Sequence, residues 1–186
     1  MNKDVKIGIS ARHVHLTKET YDLLFDEELT VKKNLNQIGQ FASNQTLTVK
    51  TKNHEFNNVR IIGPLRSYNQ VEISKSDARL LGINPPVRNS GDVLLSEKVV
   101  LKTDKNEIEV EACIIANRHV HMNEELANSL GVVNNELVKL QIDGEKSGLI
   151  DVVVKVSNDG FFEVHLETDD ANAFLIENGD IGKLVL

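Results

Sequence analysis

The tetrapeptide Arg-His-Val-His occurs twice in this chain of 186 residues, at 12–15 and at 118–121. These two copies hold all but two of the six histidines. Residues two apart on a strand project from the same face, so each copy can direct two imidazoles at one metal ion. A single copy would more often be a surface feature of a strand. Two identical copies in a chain with few histidines favour metal binding.

The similarity between the two copies extends on both sides and divides the chain into related halves. Ile9–Thr17 aligns with Ile115–Asn123, and an apolar strand leads into the tetrapeptide in both segments. Thr17 and Asn123 then come directly before acidic, leucine-rich stretches, as helix N-caps do. Carboxylates in the first turn suit the helix dipole. We therefore predict a strand, a His-x-His pair and a helix in each half.

A second, weaker repeat adds one candidate ligand to each half. Glu72 lies five residues before Asp77-Ala78, and His165 lies five residues before Asp170-Ala171. Alone, Glu72 would be taken for a solvent-facing strand residue and His165 for a hydrogen-bonded core histidine. Their equivalence favours a metal role for both. The predicted ligand sets are His13, His15 and Glu72 in one half, and His119, His121 and His165 in the other.

These ligand sets predict two catalytic zinc ions per chain. Three protein ligands and an open position are typical of catalytic zinc, whereas structural zinc is fully coordinated, usually by thiolates. The single cysteine, Cys113, excludes a thiolate site and an internal disulfide, in keeping with a reducing cytosol. We expect Cys113 to be a small buried residue rather than a nucleophile.

Composition excludes several classes of partner. The formal net charge of −7 argues against nonspecific nucleic-acid binding. No apolar run is long enough to cross a bilayer, so no membrane association is expected. The N-terminus leads directly into a strand and lacks a secretory signal, which predicts a cytoplasmic protein.

The hydrophobic pattern predicts a mainly β fold with short helices. Short alternating runs separated by Gly, Asn and Asp are typical of small barrels. We expect two pseudo-symmetric β-barrel domains capped by α-helices, at 1–88 and 89–186, with elements that cross between the halves. The segment 84–91 reads as an irregular linker or a shaped loop. Predicted helices are Lys18–Phe25, Lys75–Leu81, Glu124–Leu130 and Asp169–Glu177.

Three arginines lie close to the predicted ligands. Arg66 follows a Gly-Pro turn and precedes Glu72 by six residues. Its guanidinium fork matches phosphate or carboxylate, although without the nearby ligand it would be taken for a solvated loop cation. Arg12 and Arg118 adjoin the histidine pairs, but strand neighbours face opposite sides. We expect these two to support the fold or to pair with acidic residues.

These motifs together resemble the PduL-type phosphotransacylases, the phosphate propanoyltransferase family. The resemblance spans nearly the whole chain and departs from the common pattern at Ile38 and Asn69. It implies two helix-capped β-barrels with a two-zinc site between them. It also implies reversible transfer of a propanoyl or acetyl group between coenzyme A and inorganic phosphate, which gives an acyl phosphate. Beyond the doubled tetrapeptide, the matching segments are Gly63–Arg66, Gln70–Ser74, Pro86–Gly91, His165 and Asp169–Ala173.

The resemblance also assigns roles to individual residues. The two ligand sets match the family's two zinc sites, and Arg66 matches its catalytic, phosphate-holding arginine. We expect phosphate to attack the thioester directly, without a covalent acyl-enzyme. The positions that correspond to coenzyme A contacts are Ser10, Lys33, Arg60, Ile62 and Asn172.

The resemblance bears on location and assembly as well. Members that enter bacterial microcompartments, such as those of propanediol degradation, often carry an N-terminal helical extension. This chain lacks one, so contacts with a shell or with lumen enzymes are expected only if it is encapsulated. Acyl-CoA and phosphate are the expected partners, and the oligomeric state stays open, a homodimer included.

Three other classes of function stay open. A binuclear metallohydrolase, either a thioesterase or a phosphoesterase, would release free acid, but such sites usually contain bridging carboxylates. A non-catalytic metal-binding module would not need Arg66. A purely structural protein would bind no stoichiometric metal.

Overall fold

The computed structural model describes residues 2–158 and 161–186. The chain divides into two compact units. One unit comprises Arg12–Ala116 and is named here the Glu72 barrel. The other comprises Met1–Ala11 with Asn117–Leu186 and is named the His165 barrel.

Most of the described chain is β structure, with short helices between the strands. The strands are β1 Asn2–Ser10, β2 His13–His15, β3 Val31–Asn34, β4 Phe41–Lys50, β5 Glu55–Gly63, β6 Gln70–Glu72, β7 Val87–Arg88, β8 Glu97–Lys102, β9 Glu107–Ala116, β10 His119–Met122, β11 Leu137–Ile142, β12 Gly148–Val156, β13 Glu163–Glu167 and β14 Ile181–Val185. The helices are α1 Lys18–Leu24, α2 Lys75–Leu81, α3 Glu124–Leu130 and α4 Thr168–Phe174.

Both units are closed barrels with the same pattern of strand pairing. In the His165 barrel the order around the ring is β1-β13-β10-β12-β11-β14. In the Glu72 barrel it is β9-β6-β2-β5-β4-β8, with β3 and β7 added at β4 and β9. Parallel and antiparallel pairs follow in the same order around both rings. The predicted fold class, two small β-barrels with short helices, is confirmed.

The strand before each Arg-His-Val-His belongs to the other barrel. Strand β1 leads into β2 along the chain but pairs with β13 and β14 of the His165 barrel. Strand β9 leads into β10 but pairs with β6 and β8 of the Glu72 barrel. Each contact-defined unit therefore contains residues from both sequence halves. The predicted division at 88/89 describes sequence halves rather than contacts, and it stays a prediction.

The helices begin and end where local chemistry dictates. The side chain of Thr17 accepts the N–H of Thr20 at 3.1 Å, and that of Asn123 accepts the N–H of Leu126 at 2.8 Å, which confirms both N-caps. Helix α4 ends earlier than predicted because Leu175 takes a left-handed conformation with φ 56°. None of the helices in the described ranges has the length and apolarity that a membrane crossing requires.

On the histidine strands and their partners, successive residues face alternately the barrel core and the candidate metal site. Val14 and Val71 are fully buried in the core of the Glu72 barrel. Val120 and Val164 occupy the same positions in the other barrel. Because successive residues on a strand face opposite sides, their histidine and glutamate neighbours share the opposite face. The apolar core therefore sets the direction of the candidate ligands.

Candidate metal centres

The predicted ligands of the Glu72 barrel converge on one face of β2 and β6. In this antiparallel pair His13 lies opposite Glu72, and His15 lies opposite Gln70. The Nε2 atom of His13 is 3.5 Å from one Glu72 oxygen, and that of His15 is 4.0 Å from the other. One candidate ligand atom from each of the three residues lies within 4.8 Å of the others.

The His165 barrel repeats this arrangement on β10 and β13. Here His119 lies opposite His165, and His121 lies opposite Glu163. The Nε2 atoms of His119 and His121 are 3.0 Å apart. The ligand atoms of the three histidines again lie within 4.8 Å of one another. Each predicted set is therefore brought together within a single barrel.

Both donor sets suit zinc. Two histidines with a glutamate, and three histidines, are both established catalytic zinc sets. Bond lengths of about 2.0–2.1 Å in a tetrahedral site place donors roughly 3.4 Å apart, close to the separations of 3.0 and 3.5 Å found here. Within the described residues the buried Nδ1 of His121 has no hydrogen-bond partner. Buried polar atoms are seldom unpaired, so this ring differs from His15 and His119, whose Nδ1 atoms contact carbonyls.

Backbone carbonyls orient two of the imidazoles. The Nδ1 of His15 lies 3.0 Å from the carbonyl oxygen of Ile62, and the Nδ1 of His119 lies 2.8 Å from that of Asn117. A carbonyl only accepts, so each Nδ1 must carry the proton. The lone pair of each Nε2 then faces the cluster, as in histidines whose second nitrogen is held by an outer partner.

Burial keeps the central histidines neutral. The pKa of His15 is lowered to about 3, first by burial and then by electrostatic interaction with His13 and Arg66. The pKa of His121 is lowered to about 2, first by burial and then by His119, His165 and the positive charge of Lys155. The neutral imidazole is the form that binds metal, so both rings are in the ligating state at neutral pH.

Arg66 is fixed beside the histidine strand of the Glu72 barrel. Its backbone N–H donates to the Leu16 carbonyl at 2.8 Å. Its Nη1 donates to the Tyr68 hydroxyl at 3.0 Å and to the Ser90 hydroxyl at 3.3 Å. Both side-chain bonds among the described residues come from Nη1, so Nη2 and Nε still offer a donor fork. The predicted arginine thus lies beside the predicted ligands.

A polar network that sequence reasoning missed connects Arg66 to Glu72. The fully buried Gln70 accepts the Gly91 N–H at 2.7 Å through Oε1. Its Nε2 donates to Glu72 Oε1 at 2.5 Å and to the Ser90 hydroxyl at 3.0 Å. The segment 84–91 is therefore a shaped loop that forms part of this site. The only signal was that Gln70 lies two residues before Glu72 and shares its face.

The arginines of the two tetrapeptides form ion pairs, as predicted. Arg12 contacts Asp77 at 2.6 Å, and Arg118 contacts Asp170 at 2.7 Å. The first carboxylate belongs to the capping box of α2 with Ser74. These are the aspartates of the weaker sequence repeat. Each pair therefore connects the start of a histidine strand to the helix after the third ligand of the same barrel.

The candidate coenzyme A residues occupy distinct places in each barrel. Arg60 lies opposite His13 in β5, and Ile62 presents its carbonyl to His15. Lys33 is exposed on β3. In the His165 barrel Ser10 ends β1, and Asn172 is exposed on α4. Arg60 and Ile62 adjoin the histidine strand, and all five stay predictions.

The family model and the similar proteins described below all carry the same description. The family model described as phosphate propanoyltransferase matches residues 6–177. A phosphate propanoyltransferase of Shewanella putrefaciens is 44% identical, with 99% of this chain and 90% of that protein covered. Proteins of the same name from Thermotoga maritima and Salmonella typhimurium are each 40% identical, covering 96% and 95% of this chain and 88% and 86% of their own length.

Proposed function

This chain belongs to the phosphate propanoyltransferase family, and we propose that it transfers a propanoyl or acetyl group reversibly between coenzyme A and inorganic phosphate. As a member of this family it is an acyltransferase that uses phosphate. The observation that carries the finer proposal is the placement of Arg66 beside the ligand set of the Glu72 barrel. A phosphate-binding group and a metal-binding group then lie in one site.

We propose zinc as the ion at both ligand sets, so that a chain holds two. His13, His15 and Glu72 would hold one ion, and His119, His121 and His165 the other. Bound zinc supplies Lewis-acid polarisation of a thioester carbonyl and a soft partner for the departing thiolate. The neutral state of His15 and His121 and the carbonyl contacts of His15 and His119 support this assignment.

Arg66 is the residue that we propose to orient phosphate. The Nη2 and Nε donors of a guanidinium match two phosphate oxygens in a planar, bidentate contact. Ser90 and Tyr68 fix the other nitrogen of the group, so little side-chain freedom is lost when phosphate binds. A fixed phosphate reaches the acyl carbon at a lower entropic cost than a free one.

We propose direct attack without an acyl-enzyme. A phosphate oxygen forms the new bond to the acyl carbon, the carbon–sulfur bond breaks, and coenzyme A leaves as its thiolate. Cys113 is a poor alternative nucleophile because it is fully buried and burial raises its pKa to about 12. A thiol in this state offers almost no thiolate for attack.

The remaining expectations belong to the same proposal. Coenzyme A would contact Lys33, Arg60 and Ile62 in the Glu72 barrel, and Ser10 and Asn172 in the His165 barrel. Two hydrogen bonds from Nη1 of Arg60 to the carbonyls of Ser43 and Asn44, both 2.9 Å, hold its guanidinium group in place. A cytoplasmic location, the oligomeric state and any association with a microcompartment stay predictions.

The test is a phosphate-dependence assay on metal-analysed protein. Purified protein is incubated with propanoyl-CoA or acetyl-CoA, with and without phosphate, while thiol release is followed and the acyl product is identified. We expect two zinc ions per chain, phosphate-dependent thiol release and an acyl phosphate. Thiol release without phosphate, with free acid as product, would instead identify a thioesterase. No turnover by protein with two bound zinc ions would contradict the transferase proposal.

A further inference from the structure

The residue beside the third ligand differs between the barrels in step with that ligand. Register places Gln70 opposite His15 and Glu163 opposite His121, so the two are equivalent. Gln70 contacts the carboxylate Glu72, whereas Glu163 contacts the imidazole of His165. The amide thus accompanies a carboxylate ligand, and the carboxylate accompanies a histidine ligand.

In the Glu72 barrel the amide orientation follows from its neighbours. The Gly91 N–H can only donate, so the atom 2.7 Å away must be the oxygen of Gln70. The NH₂ group is then the only part that can face Glu72, 2.5 Å away. A carboxylate at position 70 would set two negative charges against each other there. An amide is therefore the group that suits a glutamate ligand.

In the His165 barrel the requirement is reversed. An ionised carboxylate only accepts, so the 3.2 Å contact of Glu163 Oε1 with His165 Nε2 needs an N–H on the ring. Glu163 is 8% exposed, and a buried carboxylate is stable only when it is paired. Gly8 provides its space, because a Cβ there would lie 2.6 Å from Oε1. The equivalent position on β9 is Ile114, which lies opposite Glu72 as Gly8 lies opposite His165.

We propose that Gln70 and Glu163 are positioning residues matched to their barrels' third ligands, Gln70 as a donor to Glu72 and Glu163 as an acceptor from His165. This inference rests on the proposed metal sites and adds a residue to each. Outer partners of this kind typically change metal affinity by about 10–100-fold. The effect of each residue is confined to the site in its own barrel.

Single-site proteins provide the test. His13→Ala leaves the His165-barrel site, and His119→Ala leaves the Glu72-barrel site. Zinc affinity is measured with a competing chelator on metal-free protein, with circular dichroism as the fold control. In the His13→Ala background we expect Glu163→Ala to weaken zinc about 10–100-fold. Glu163→Gln should recover most of this loss, because its amide oxygen still accepts.

The matched variants are made in the His119→Ala protein, which keeps the Glu72-barrel site. With His119→Ala we expect Gln70→Ala to weaken zinc about 10–100-fold, while Glu163→Ala has no effect. Glu145→Gln, at an exposed turn of the His165 barrel, is the control and should leave the affinity unchanged. Equal losses for Glu163→Gln and Glu163→Ala would contradict the positioning role, and so would wild-type affinity in the Glu163 and Gln70 alanine variants. Parent proteins that bind no zinc would overturn the metal assignment as well.

Discussion

The two barrels share a strand order but differ in the loop before the third ligand. In the Glu72 barrel this loop carries Arg66 and Tyr68, and Arg66 donates to the Tyr68 hydroxyl. In the His165 barrel the segment 157–162 contains no basic residue. Its Phe161 instead stacks on His121 with ring centroids 5.1 Å apart. In the Glu72 barrel this loop therefore supplies a cation to the site, whereas in the His165 barrel it supplies an apolar ring. The cation near His121 is Lys155, which comes from β12 rather than from the loop.

This difference leads us to expect different roles for the two sites. Each barrel has one ion pair of this kind, Arg12–Asp77 or Arg118–Asp170, so we attribute these pairs to the stability of the fold. Arg66 occurs in one barrel only, so it belongs to the chemistry of that barrel. A positive guanidinium beside a metal site favours an anionic oxygen ligand. We therefore expect phosphate to bind at the Glu72 barrel.

Removal of a single ligand histidine, from either barrel, should produce the largest effect. We expect His13→Ala and His119→Ala each to lower the zinc content from two ions to one. Turnover should fall by about 10³-fold, since a lost Lewis acid is worth several kcal/mol. Metal analysis and the thiol-release assay measure both quantities. His54→Ala, at an exposed histidine outside both sets, is the matched control. Full metal content in either variant would show that the ligand assignment is wrong.

Arg66→Ala should weaken the use of phosphate without affecting either metal site. We expect kcat/KM for phosphate to fall about 10²-fold, because a charged, oriented donor is lost, while zinc content stays at two ions. Arg66→Lys should lie between, since an ammonium keeps the charge but not the fork. Steady-state kinetics with phosphate varied measure this, and Arg79→Ala on the exposed side of α2 is the control. An unchanged phosphate dependence would remove the proposed distinction between the barrels.

The ion pairs allow a smaller, structural comparison. Asp77→Asn should destabilise the protein by about 2 kcal/mol and Asp170→Asn by about 1 kcal/mol. Both changes weaken a partly exposed pair, but Asp77 also takes part in the capping box of α2 with Ser74. In α4 the N-cap is Glu167, so the cap survives the second change. Urea unfolding measures the difference, and equal losses would show that the capping box adds nothing.

The sequence predicted which candidate ligands lie together, because each set is encoded by short spacing. The two histidines of a pair are two residues apart, and Glu72 and His165 stand at equal distances from repeated aspartates. Gln70 and Glu163 were not predicted, because their role depends on which strand lies opposite. The exchange of β1 and β9 was not predicted in detail for the same reason. Pairing over long sequence separations decides it, and no local pattern records that choice.

The short strands β3 and β7 were not predicted, for a different reason. All residues of strand β3, Val31–Asn34, are exposed, and the strand has no alternation of polar and apolar residues. Strand β7 has only two residues and is held by β9. Their hydrogen bonds come from neighbouring strands rather than from an apolar face of their own. Helices α2 and α3, by contrast, have clear caps at both ends and were predicted with the bounds observed.

The smallest effect should come from a change at Cys113, a core residue of β9. Cys113 lies opposite Val71, as Ile7 lies opposite Val164, so the cysteine occupies a packing position. We expect Cys113→Ala to cost about 1 kcal/mol of stability and to leave turnover unchanged. Because burial raises the pKa of this thiol to about 12, folded protein at pH 8.5 should resist iodoacetamide, whereas urea-unfolded protein should react. A turnover loss of several orders of magnitude in Cys113→Ala would instead indicate an acyl-enzyme on this thiol and exclude direct attack by phosphate.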